Sequence, residues 1–300
     1  MPSAVSEISK AGDPLEDLLA RTSVEDIVLS PRGLSYFENF TWIGPYPSVD
    51  TEPKQLWHLA NKIAEEARLQ LGLTQPSVDS FLQISDKLSL RAHVVVSPLV
   101  LEGPEITLRR LPSLDRLSLD DFQINTFQKE ILLESVARGH SILISGSTGA
   151  GKTSFLTALL KLIPRQQRIV LLEDSPEIPV PHPLCSKLLC RNDRFGFREG
   201  AAWSLEDLVF ESLRMRPDRI IVGECRSREA VAIRQALQTG HRGTWCTIHG
   251  SSCAEALKRF DILSDTHTAN ERVWDLVVQL GRNSEGRRAV LELDLRQKPA

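Results

Sequence analysis

Two rhythms of apolar and polar residues run along the chain, and they change near residue 122. Before that point, "EDIVLS" and "GLSYFENFTWI" predict strands on either side of a "PRG" turn. Leu56, Leu59, Ile63 and Ala67 share one helical face in "PKQLWHLANKIAEEARLQLG", and Gly72 follows as a stop. "LSLRAHVVV" and "EITLRRL" predict two more strands. Residues 15–112 are therefore expected to form a small α/β unit behind a polar, flexible tail (1–14). The polar stretch opened by Pro112 is expected to act as a linker over 113–123.

From residue 124 to 300 helical patterns alternate with short, nearly continuous apolar runs. "NTFQKEILLESVARG" begins with a capping-box pair, Asn125 and Gln128, and stops at Gly139. The runs "SILIS", "RIVLL", "RIIVG" and "TWCTI" follow, and "DLVVQLGRNSEGRRAVLELDL" predicts a terminal hairpin. Continuous apolar strands alternating with helices indicate a parallel sheet covered on both faces.

Bulk properties narrow the function classes. A net charge of -3 over 300 residues gives no electrostatic case for nucleic acid or anionic lipid as the main partner. The longest apolar run, "VVVSPLVL", is far short of the ~20 residues of a membrane helix. The early acids and the absence of a hydrophobic leader point to a soluble cytoplasmic chain. The five cysteines form no paired CxxC and are expected to be reduced thiols filling the core.

"GSTGAGKT" (146–153) fits the phosphate-loop pattern G-x-x-x-x-G-K-[ST], between a predicted strand and a predicted helix. Backbone N–H groups of Gly146, Ser147, Thr148, Gly149, Ala150 and Gly151 are expected to cradle phosphate, with Ser154 at the loop's end. Lys152 supplies charge to the β- and γ-phosphates, and Thr153 offers its hydroxyl to Mg²⁺. The helix N-terminus adds partial positive charge at the same place. Three other apolar runs end in polar groups: Glu173 with Asp174, Glu224, and His249. In a parallel sheet all of these lie on the one edge where α/β proteins bind ligands. Taken singly, an acid after a strand often just caps the next helix.

His241 and His249 flank "TWCTI". At ~3.3 Å per residue they stand roughly 26 Å apart if extended, too far to share a metal ion. His249 is expected to sense the γ-phosphate or donate to it, His241 to shape the turn or meet a neighbouring subunit. Both could instead be satisfied core histidines.

"GSTGAGKTS", "VLLEDSPEI", "LRMRPDRIIVGECRSREA" and "ALQTGHRGTWCTIHGSSCAEALKRF" together resemble the Walker A, Asp box, Walker B and His box of the bacterial type II/IV secretion and pilus traffic ATPases. The resemblance spans residues 124–280 and extends into "SPLVLEGPEITLRRLP". It implies an α/β fold: a RecA-like P-loop ATPase core behind a smaller N-terminal PAS-like domain. It implies ATP and Mg²⁺ as cofactors, Glu173 as catalytic glutamate, Glu224 as the Walker B acid near the metal, and roles for His249 and His241. It further implies a homo-hexamer at the cytoplasmic face of the inner membrane. That ring would drive a membrane-embedded platform protein, touching the membrane only through partners and binding no nucleic acid directly.

The chain also departs from the family pattern. It lacks a tetracysteine motif and a clear retraction signature, is short at its N-terminus for a tight-adherence (Tad/Flp) member, and has "ECRSREA" after Walker B. Gly250 stands where alanine commonly follows the histidine, and is expected to loosen the turn. These features leave a Tad-like or a type IV secretion-like member. Arginines are needed against the charge that develops in phosphoryl transfer. Arg109, Arg110, Arg191 and Arg194 are the candidates, each also readable as a surface charge. A metabolic P-loop kinase, a nucleotide-gated assembly module and a nucleic-acid motor are the competing readings.

Overall fold

The computed structural model describes residues 14–47, 51–67, 69–85, 88–111, 117–180, 182–190, 203–265 and 272–296. Arg191 and Arg194 lie outside these residues, as do 1–13 of the expected tail. Two compact units divide the chain, residues 1–113 and 114–300.

In the first unit six strands form one antiparallel sheet. They are β1 (Val24–Ser30), β2 (Gly33–Glu38), β3 (Thr41–Tyr46), β4 (Ser77–Ser85), β5 (Leu88–Val95) and β6 (Glu105–Arg110), in the order β3-β2-β1-β6-β5-β4. Helices α1 (Pro14–Ala20) and α2 (Pro53–Glu66) bury Leu15, Leu18, Leu56 and Ile63 in the same core as Ile27, Leu90 and Leu108.

This unit corrects two expectations. "GLSYFENFTWI" is two strands, because Asn39 and Phe40 both take positive φ (48° and 64°) and turn the chain back. "SVDSFLQIS" is a further strand, β4, in which Val78, Ser80 and Leu82 are buried and Asp79, Phe81 and Gln83 are exposed. Its polar content masks the alternation.

The second unit holds β7 (Ile142–Gly146), β8 (Ile169–Glu173), β9 (Cys185–Leu189), β10 (Arg219–Cys225), β11 (Thr244–Ile248), β12 (Leu276–Arg282) and β13 (Arg288–Leu295). The order is β13-β12-β7-β11-β10-β8-β9. Every neighbouring pair is parallel except the terminal hairpin β12–β13. Strand β9, at the edge, was not expected: its side chains are all partly or fully exposed and its apolar run is short.

Both faces of this sheet are covered. On one face α3 (Thr126–Arg138) and α4 (Lys152–Leu160) contribute Leu132, Val136, Phe155 and Leu159 to a core with Ile142, Ile144 and Leu171. On the other, α5 (Leu205–Ser212), α6 (Glu229–Gln238) and α7 (Cys253–Leu263) pack Val209, Ile233 and Phe260 on Leu143, Val170 and Leu172. Cys225, Cys246 and Cys253 fill this second core.

The caps of α3 follow the sequence. Asn125 and Gln128 form the reciprocal capping box, and Gly139 closes the helix at φ 73°. The end of the expected linker is docked rather than free. Leu119 and Phe122 are buried in the core of the second unit, and Gln123 bridges to Ala289 of β13.

Candidate functional site

The parallel strands β7, β8, β10 and β11 deliver their C-terminal ends to one edge of the second sheet. Residues 146–151 leave β7 there, and α4 begins at Lys152. Gly151 is the N-cap residue at φ 89°, a left-handed conformation open to glycine at little cost. Lys152 is buried, yet its ammonium is well occupied. Nζ donates to the carbonyls of Gly146 (2.9 Å) and Ser147 (3.1 Å) and stands 3.3 Å from His249 Nδ1. Burial pushes its pKa down, offset in part by the Glu224 carboxylate.

His249 is the hinge of the cluster. Its Nε2 stands 2.9 Å from Glu224 Oε1. Burial, helped by the Lys152 charge, holds the imidazole below its ordinary pKa. A neutral ring fits these partners: Nδ1 accepts from the ammonium, and the proton on Nε2 faces the carboxylate. Glu224 Oε2 takes a 2.5 Å bond from Arg226. Its Oε1, the oxygen that faces His249, is buried and keeps lone-pair capacity suited to a cation or a metal-bound water.

Glu173 closes β8, next to Glu224's strand. Its Cγ lies 3.4 Å from where a methyl group on Gly223 would stand. The carboxyl is buried. Oε1 accepts from the N–H groups of Ile178 (2.7 Å) and Glu177 (2.9 Å), and Oε2 has no partner. Burial outweighs those two bonds and pushes the pKa up to about 7.

The other candidate residues lie elsewhere. His241 is at the opposite end of β11, where its N–H donates to Ala236 O (3.0 Å) and its carbonyl accepts from Thr244 Oγ1 (2.8 Å), shaping the turn that enters the strand. Arg109 and Arg110 belong to the first unit. Arg109 pairs with Asp26 across β1 and β6 at 2.7 Å. Arg110 donates to the carbonyls of Leu19, Arg21 and Val24, which ties α1 to β1.

Sequence reading missed Arg226, although its place two residues beyond Glu224 was a signal. It also missed the reason for Gly250. A methyl group there would stand 2.6 Å from Ser145 Oγ and 3.2 Å from the backbone nitrogen of Ala256. The glycine does not loosen the turn. It lets the chain after His249 pass close to β7, and Gln279 Nε2 of β12 then donates to its carbonyl at 3.2 Å.

Comparison with known proteins gives a consistent picture. Residues 76–285 match the model of the family described as type II/IV secretion system protein. A putative conjugal transfer protein of Mycobacterium tuberculosis is 29% identical over 96% of this chain and 85% of its own length. The pilus retraction motor PilT with bound ADP superposes at a TM-score of 0.68, with 17% identity over 94% of this chain and 82% of its own. The ATPase DotB of Legionella pneumophila superposes at 0.64, with 20% identity over 94% and 79%. Both solved structures share the fold.

Proposed function

The chain belongs to the type II/IV secretion system protein family, and from that premise we propose that it is an ATPase motor of a secretion or pilus system. The observation behind this reading is the contact chain Lys152–His249–Glu224–Arg226, which joins three strand ends at the phosphate loop. Loop residues 146–151, with Lys152, bind the phosphates of ATP. The hydroxyl of Thr153 and the carboxylate of Glu224 would hold Mg²⁺. That ion, when bound, would supply positive charge against the phosphates. Glu173 orients the attacking water and takes its proton. His249 reports the γ-phosphate to Glu224.

The burial of Glu173 favours one second reading. Its Oε1 holds the N–H groups of the loop at residues 177 and 178. In that reading Glu173 positions this loop and Glu177, half-buried on it, takes the proton.

Among the described residues no helix is long and apolar enough to cross a membrane. A homo-hexamer at the cytoplasmic face of the inner membrane, driving a membrane-embedded platform protein, fits this reading.

Phosphate release from ATP by the purified protein tests the activity. The expected result is Mg²⁺-dependent turnover without any acceptor or nucleic acid. Turnover only with a small-molecule acceptor would establish a kinase. Salt-sensitive stimulation by DNA would establish a nucleic-acid motor.

A further inference from the structure

The hairpin β12–β13 packs against both ends of the phosphate loop. At the first end, Leu280 sits opposite Gly146 in the parallel register of β12 and β7, and a methyl group on Gly146 would stand 2.9 Å from Leu280 O. At the second, a methyl group on Gly151 would stand 3.0 Å from Cδ and 3.2 Å from Nε of Arg288. The ring of Phe122 is the next neighbour, at 3.3 Å. The Arg288 stem therefore lies on the turn that opens α4.

Its backbone is fixed there. Gln123 N donates to Arg288 O at 2.8 Å, and Val290 N donates to Gln123 O at 3.1 Å. The side chain is half-buried, yet its guanidinium has no hydrogen bond or ion pair with any described residue. Neighbouring cations are unfavourable. Arg282 sits directly opposite Arg288 in the antiparallel register, and like charges so placed destabilise a strand pair. The nearby Glu285 pairs with Arg287 instead, at 3.6 Å.

A partly desolvated guanidinium without a partner among the described residues, lying against the last glycine of the phosphate loop, is placed for an anion. We infer that Arg288 is a nucleotide-binding residue whose guanidinium contacts the phosphate chain held by residues 146–153. This rests on the reading of that loop as the ATP site. A planar fork of donors matches phosphate oxygens better than a point charge does. Arg288 thereby makes the last hairpin part of the binding site.

The test uses the full chain and a fluorescent N-methylanthraniloyl derivative of ADP. Arg288→Met keeps an unbranched stem against Gly151 and removes the charge, and Arg288→Lys keeps the charge. Binding by the Met variant is expected to weaken about tenfold, as for loss of a charged hydrogen bond, and binding by the Lys variant by about threefold or less. The nucleotide-free melting temperature stays that of wild type, and the affinity of the Met variant falls less steeply with salt.

An affinity for Arg288→Met within twofold of wild type would overturn the inference while leaving the ATP site intact. So would weaker binding accompanied by a lower nucleotide-free melting temperature, the mark of a brace. Wild-type protein that is folded but binds no nucleotide would sink the ATP site itself, and Arg288's role with it.

Discussion

Lys152→Ala is expected to lower ATP turnover by about two to three orders of magnitude, the loss typical of removing one charged donor from a reacting phosphate site. Nucleotide affinity should fall as well. Lys152 is buried at the start of α4, and three groups hold its ammonium: the carbonyls of Gly146 and Ser147 and the ring of His249. No other lysine touches this cluster among the described residues. The variant also removes a positive charge that lowers the pKa of His249, so that imidazole should titrate higher. An NMR titration of His249 reads this independently of turnover. Wild-type turnover in Lys152→Ala would detach the phosphate loop from the chemistry.

Glu173→Gln should move activity and stability in opposite directions. As the base, Glu173 must be ionised, so turnover in the wild type should rise with pH through about 7. Glutamine keeps an acceptor for the N–H groups of Glu177 and Ile178 but cannot take a proton, and turnover should fall by about a hundredfold or more. Burial favours the protonated carboxyl in the folded state. That group's stabilisation is therefore fully present below its ordinary pKa of 4.5 and is lost as pH rises through about 7. At pH 8 ionising this carboxyl inside the fold costs on the order of 3 kcal/mol, a cost glutamine never meets. The variant should melt about 5 °C above wild type at pH 8 and level with it at pH 4. Full turnover in Glu173→Gln, with loss in Glu177→Gln, would transfer the base role to Glu177.

The sequence made the second unit more legible than the first, for physical reasons. Its central strands are buried on both faces, so "SILIS", "RIVLL", "RIIVG" and "TWCTI" are unbroken apolar runs. Strands β4 and β9 have exposed faces, and their polar residues hide them. The turn at Asn39–Phe40 holds no glycine or proline to announce it.

The candidate site divides in the same way. Glu224 and His249 lie at strand ends and Lys152 opens the helix that follows a third strand, where sequence order and a parallel sheet suffice to bring them together. Arg288 reaches the phosphate loop, and Gln279 the turn after His249, only through the side-by-side pairing of β12 with β7 and β13 with β12, which no local pattern reveals. The need for glycine at 250 arises from Ser145, more than a hundred residues earlier. His241 shows the converse: a histidine inside a familiar motif that the fold places at the far end of the strand.

A crystal structure with Mg²⁺ and a non-hydrolysable ATP analogue tests convergence on one phosphate most directly. Lys152 Nζ, the carboxylates of Glu173 and Glu224 and the ring of His249 should each lie within about 3 Å of the terminal phosphate or its metal, directly or through one water. A terminal phosphate bound away from Glu224 and His249, with those side chains still facing each other, would contradict it.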